Sequence, residues 1–163
     1  MNNLIDNIAE DIINIFNIKI PIIDIEDVVM KLGESVETDN KTLGFIYKNN
    51  KGFVIVIPSY QNEEKIFIAN GLEHLFLHMS YQIDNKLYNS MDKYYSSDVI
   101  QEYQANRFAL ALLMPKYEYK KIMDRYTIEN TVNTNEIVEY CKVSIFAAYN
   151  RGEYLGYLKR VLY

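Results

Sequence analysis

Residues 102–115 read Glu102-Tyr103-Gln104-Ala105-Asn106-Arg107-Phe108-Ala109-Leu110-Ala111-Leu112-Leu113-Met114-Pro115. A helix is predicted from about Asp98 through Met114, because nothing in the run breaks it and the Pro115 ring cannot continue the hydrogen-bond ladder. Upstream, Glu64 to Met79 has no breaker except Gly71 and is apolar on most sides, which predicts a second helix buried in the middle of the protein. That helix holds the only two histidines of the chain, His74 and His78, four residues apart and therefore on one face. Asn70 extends this polar face one turn back, and Glu102 stands on the following helix, which can pack alongside. A histidine on one helix with a glutamate from the next forms part of a zinc constellation.

Outward from this pair, Leu4, Ile5, Ile8, Ile12, Ile15 and Phe16 recur at helical spacing and predict an amphipathic first helix that Pro21 ends. Asp24 is the expected N-cap, with Asp27 three residues on, of a short helix that Gly33 terminates. Leu43–Lys48 and Phe53–Ile57 are rich in β-branched and aromatic residues and flank Asn49-Asn50-Lys51-Gly52, so they predict a β-hairpin, with a short strand near Val36 beside it. A polar, tyrosine-rich connection, Gln82–Ser97, is expected on the outside. Helices near Tyr117–Arg125 and Asn135–Cys141 should precede Ser144, the N-cap of a last helix through Tyr149 and Arg151. This order of elements is α+β, in a single domain over residues 1–163.

Composition narrows the function classes. A chain of 163 residues, 49% hydrophobic and 24% charged, buries a core without staples and is neither disordered nor membrane-spanning. The N-terminus has no positive cluster ahead of its apolar residues, which excludes a signal peptide. The lone Cys141 leaves no internal disulfide and no cysteine-based zinc cluster, a pattern of reducing compartments, and a cytoplasmic protein is expected. A net charge of -5 argues against a grip on phosphate backbones, so neither nucleic acid nor membrane is an expected partner. The segment Asn135–Arg151 has a helix-turn-helix rhythm with Lys142, Arg151, Lys159 and Arg160 nearby, but Glu136, Glu139 and Glu153 favour plain helix packing over DNA reading. Tyr81, Tyr88, Tyr94, Tyr95 and Tyr103 form a candidate partner surface.

The chain resembles the ImmA/IrrE group of zincin-like metallopeptidases over most of its length. Members of that group have a helical N-terminus with a proline and a short helix ending in Leu-Gly, matched by Pro21 and Lys31-Leu32-Gly33. A β-hairpin follows, then a helix of the form Phe-Thr-x-Ala-His-Glu-x-Gly-His-x-x-x-His, then one of the form Glu-x-x-Ala-Asn-x-Phe-Ala-x-x-Leu-Leu-Met-Pro, which Glu102–Pro115 matches closely. Val143-Ser144, Ala147-Ala148-Tyr149-Asn150-Arg151 and Leu155-Gly156 resemble the closing Val-Ser helix and Leu-Gly turn of the family. The resemblance implies a zincin-like fold, with a small β-hairpin or sheet packed on a helical bundle and a helical C-terminus.

The metal-binding helix departs from the family pattern. Phe67-Ile68-Ala69-Asn70-Gly71-Leu72-Glu73-His74-Leu75-Phe76-Leu77-His78 aligns with it without gaps. Asn70 falls where the first zinc histidine stands in the family and Gly71 where the catalytic glutamate stands. His74 matches the second zinc histidine, Glu102 the third ligand and His78 the trailing histidine. A neutral amide is a poor zinc ligand, and loss of a general base costs about 10²- to 10⁴-fold in rate. Catalytic residues are therefore not expected, Asn70, His74 and Glu102 being the remnant of a metal site with Gly71 and His78 beside it.

Three arrangements stay open for the remnant. His74 and Glu102 can hydrogen-bond to each other without metal. Asn70, His74 and Glu102 can hold zinc without catalysis. Or Asn70-x-x-Glu73-His74 can serve as an inverted zinc motif with Glu73 as base. The expected function is that of a catalytically degenerate metallopeptidase-like protein that acts by binding a protein, a phage or mobile-element regulator or inhibitor. Its partner would be a repressor or a host or defence protein, as the resemblance implies. The alternative is an active zinc endopeptidase with an altered ligand set that cleaves a repressor.

Overall fold

The computed structural model of the protein describes residues 2–40, 45–59, 64–77, 99–128 and 131–158. Its elements among these residues are α1 (Asn2–Ile15), α2 (Ile25–Lys31), β1 (Ser35–Asp39), β2 (Phe45–Asn49), β3 (Gly52–Pro58), α3 (Glu64–Leu77), α4 (Val99–Leu113), α5 (Lys116–Tyr126), β4 (Thr127–Ile128), β5 (Thr131–Val132), α6 (Thr134–Cys141) and α7 (Ile145–Tyr154). The chain forms two units, Asp24–Ala109 and Met1–Ile23 together with Leu110–Tyr163.

In the unit Asp24–Ala109, the Asp24 carboxylate accepts the Glu26 N–H at 2.9 Å and starts α2, as its position before an apolar run predicts. Gly33, at φ 81°, closes the helix in a Schellman turn, with Glu34 N–H donating to Val29 C=O at 3.1 Å and Gly33 N–H to Met30 C=O at 3.0 Å. The three-stranded sheet has the order β1-β3-β2, with β1 parallel and β2 antiparallel to β3. The strand near Val36 is thus present, paired Val36 to Ile55. The Asn49 side chain accepts the N–H groups of Lys51 and Gly52 at 2.8 and 3.2 Å, and so closes the hairpin. Leu43 and Gly44, expected in its first strand, lie outside the described residues.

As the middle strand, β3 is apolar at consecutive positions: Val54, Ile55, Val56 and Ile57 are all buried. Helix α3 packs on it, and Ile68, Ala69 and Leu72 have no solvent-exposed surface. The α4 residues Ala105, Phe108 and Ala109 are equally buried, and the rings of Phe76 and Phe108 lie 6.4 Å apart.

In the other unit, α1 stops well before Pro21. Asn17 takes a left-handed conformation at φ 49° and Ile18 N–H donates to Ile13 C=O at 2.9 Å, so a second Schellman turn ends the helix. The expected apolar face also divides. Ile5, Ala9 and Ile12 are buried, whereas Leu4 and Ile15 are 62% and 70% exposed. Arg151, buried on α7, donates Nε–H to the Met114 carbonyl at 2.9 Å and pairs its guanidinium with Asp6 of α1. Tyr119 donates its hydroxyl to the Ala148 carbonyl at 2.7 Å. Burial, first of all, raises the pKa of that phenol. Ser144 caps α7 by accepting the Ala147 N–H at 3.1 Å, as expected, and Cys141 is a buried cysteine in no disulfide. The β4–β5 hairpin was not expected, its strands being two residues each.

Candidate functional site

Residues four apart on a helix share a side, so Asn70 and His74 on α3 and Glu102 and Asn106 on α4 form two pairs of equal spacing. The structure brings these pairs together. His74 Nε2 lies 3.7 Å from Glu102 Oε1, and Asn70 Nδ2 lies 3.5 Å from Asn106 Oδ1. The direct hydrogen bond between His74 and Glu102, one of the three arrangements left open by the sequence, is instead a longer contact, within ion-pair reach when the imidazole is protonated. The imidazole is buried, while the Glu102 side chain is 45% exposed.

The other ring nitrogen, Nδ1, lies 3.5 Å from Glu73 Oε2, so His74 stands between two carboxyl groups. Glu73 has no exposed surface. Burial, and after it the negative charge of Glu102, push its pKa up to about 8. One turn beyond Glu102, buried Arg107 donates from Nη1 to the Tyr103 hydroxyl at 3.0 Å and lies 5.7 Å from the centre of that ring.

Gly71 faces β3. A Cβ built there would lie 2.7 Å from Ile55 Cγ2, closer than real side chains approach, so the strand takes the space where a residue at this position would begin. Gly71 is needed for this helix–strand contact. His78 and the connection Gln82–Ser97, with Tyr81, Tyr88, Tyr94 and Tyr95, lie outside the described residues.

A zinc hydrolase needs three protein ligands and an open fourth position. His74 and Glu102 supply two donors that face each other. The third position carries the Asn70 amide, which is neutral and engaged with Asn106. Position 71 has no side chain. The described residues Asn70, Gly71, His74 and Glu102 do not fit a zinc-hydrolase centre, and among the described residues no group of three or more His, Cys, Asp or Glu side chains is gathered to hold a metal ion. Asn106, Ile55 and the buried setting of Glu73 were missed in the sequence. Only Asn106 had a signal there, its spacing from Glu102 repeating that of Asn70 to His74.

The family model of the IrrE N-terminal-like domain, Peptidase_M78, matches residues 30–152. The chain belongs to that family. In this IrrE-like chain the match takes in all of α3 and α4, the two helices that carry the remnant site. A Mycobacterium tuberculosis transcriptional regulator of known structure has the same fold, with a TM-score of 0.64 and 17% identity over 92% of this chain and 48% of that one. The IrrE-like chain thus spans about half the length of that regulator. Comparison with curated proteins finds no match. Among the described residues no helix is long and apolar enough to cross a membrane.

Proposed function

We propose that this IrrE-family chain is a catalytically degenerate, metallopeptidase-like protein that acts by binding another protein in the cytoplasm. The observation that carries this reading is the packing at Gly71: Ile55 occupies the place from which a catalytic glutamate would project. The donor set supports it further, because Asn70 is turned to Asn106 and, among the described residues, His74 and Glu102 are two donors of the three that zinc requires. Glu73 is poorly suited to replace the base. It lies on the Nδ1 side of His74 rather than the Nε2 side that Glu102 shares, and a carboxyl with a pKa of about 8 holds its proton at neutral pH.

The partner in this proposal is a repressor or a host or defence protein, and the chain is a regulator or inhibitor carried by a phage or mobile element. Family membership supports the regulatory role, and the fold shared with a transcriptional regulator is in keeping with it. The test is proteolysis of a disordered substrate such as casein, with and without added zinc. No cleavage above a buffer control is expected. Zinc-dependent cleavage that a chelator stops and His74→Ala abolishes would establish the alternative, an active endopeptidase with an altered ligand set.

A further inference from the structure

We propose that the outer face of α1 docks an amphipathic helix of a partner protein, one that carries an apolar stripe flanked by lysine or arginine. Leu4, Ile8, Asp11 and Ile15 follow one another at intervals of four, three and four residues. At about 100° per residue they fall within about 60° of arc, a single narrow stripe. Leu4 is 62% and Ile15 70% exposed, and Ile8 is half-buried. This stripe is separate from the one the helix uses in its own unit, where Ile5, Ala9 and Ile12 are 7%, 0% and 6% exposed. A helix of 14 residues with a second apolar row open to solvent has the pattern by which helices recognise one another.

Charge decides between occupants. Helix α1 contains Asp6, Glu10 and Asp11 and no lysine or arginine, and no basic residue stands in its last turn, where the backbone dipole is negative. Arg151 engages Asp6, Glu10 lies about 100° round the helix from the nearer edge of the stripe, and Asp11 stands within it. A second copy of the chain would set these carboxylates against their own kind, and an anionic lipid surface would be repelled in the same way. A basic-flanked helix places apolar side chains on Leu4, Ile8 and Ile15 and a cation on Asp11. The inference rests on the protein-binding reading above and names the class of partner segment.

The test uses fluorescence anisotropy of the full chain with three labelled synthetic peptides of about five helical turns. One has a leucine stripe flanked by lysines, the second the same stripe flanked by glutamates, and the third the lysine peptide scrambled so that the stripe is lost. The lysine-flanked peptide is expected to bind at least about tenfold tighter than either of the others. The double substitution Leu4→Ser/Ile15→Ser, at two exposed positions, should weaken that binding about tenfold or more with an unchanged circular dichroism melt. Asp11→Lys should bring the glutamate-flanked peptide level with the lysine-flanked one or above it. Equal affinity for all three peptides, or wild-type binding by Leu4→Ser/Ile15→Ser, overturns the proposal. So does self-association of the parent chain that the double substitution abolishes, since that seats a second copy on the face. Zinc-dependent peptidase activity would overturn the functional reading and leave these titrations as they stand, so the two failures are distinguishable.

Discussion

Glu73 is a fully buried acid beside the remnant site. Its carboxyl group is buried against His74 Nδ1, and its pKa rises from 4.5 to about 8 because burial disfavours the charge and Glu102 repels it. Between about pH 4.5 and pH 8 the folded chain therefore holds a proton that the unfolded chain releases. The stabilising contribution is full below that window, falls as pH rises through it, and is flat above. Glu73→Gln keeps the shape and stays neutral at every pH. Urea unfolding of the parent and of this variant should give similar stabilities at pH 5. At pH 9 the variant should be more stable by about 1 kcal/mol or more, each unit of pKa shift being worth about 1.4 kcal/mol. A difference between the two that does not change with pH would mean that Glu73 is ionised in the folded chain, and would return it to the list of possible bases.

Between elements, the contact of α3 with β3 turns on Gly71 and Ile55. Alanine at position 71 would gain about 1 kcal/mol of helix propensity, yet its Cβ would lie 2.7 Å from Ile55 Cγ2, and Ile55 is a buried residue of a central strand. Overpacking of this kind costs about 1 to 3 kcal/mol, so Gly71→Ala should destabilise on balance. Ile55→Ala alone should cost about 2 to 5 kcal/mol. Combined, the two should cost at least about 1 kcal/mol less than their sum, whereas strict additivity in a double-mutant cycle would show that the strand does not close this position. That contact was invisible in the sequence because helix-to-strand distance is a tertiary quantity. Local punctuation was legible: Asp24 and Gly33 bound α2, Ser144 caps α7, and Asn49 closes the hairpin. The early stop of α1 was not, because Pro21 is the visible breaker in the sequence and Asn17 ends the helix before it by entering the left-handed region. Nor was the division of the α1 apolar residues into a buried and an exposed row, since hydrophobic spacing does not say what packs against it. In the site, the meeting of His74 with Glu102 was legible through the family pattern. The partner of Asn70 and the two-carboxyl setting of His74 required coordinates.

For the molecule as a whole, family membership and chemistry point in different directions. The IrrE-like match runs across residues 30–152, and the α+β architecture is shared with a regulator about twice as long. All remnant-site residues among those described belong to the unit Asp24–Ala109, and there Asn70, Gly71 and Ile55 support the proposal of a metallopeptidase-like fold without a hydrolytic site. The exposed row of α1, on which the proposed partner helix would dock, belongs to the other unit. The central claim is that the remnant site holds no catalytic zinc, and the direct measurement is the zinc content of the full chain. It would be taken by elemental analysis after incubation with zinc and gel filtration, with His74→Ala in parallel. The account predicts well under one zinc per chain and the same value in the variant. About one zinc per chain, lost in His74→Ala, would contradict it.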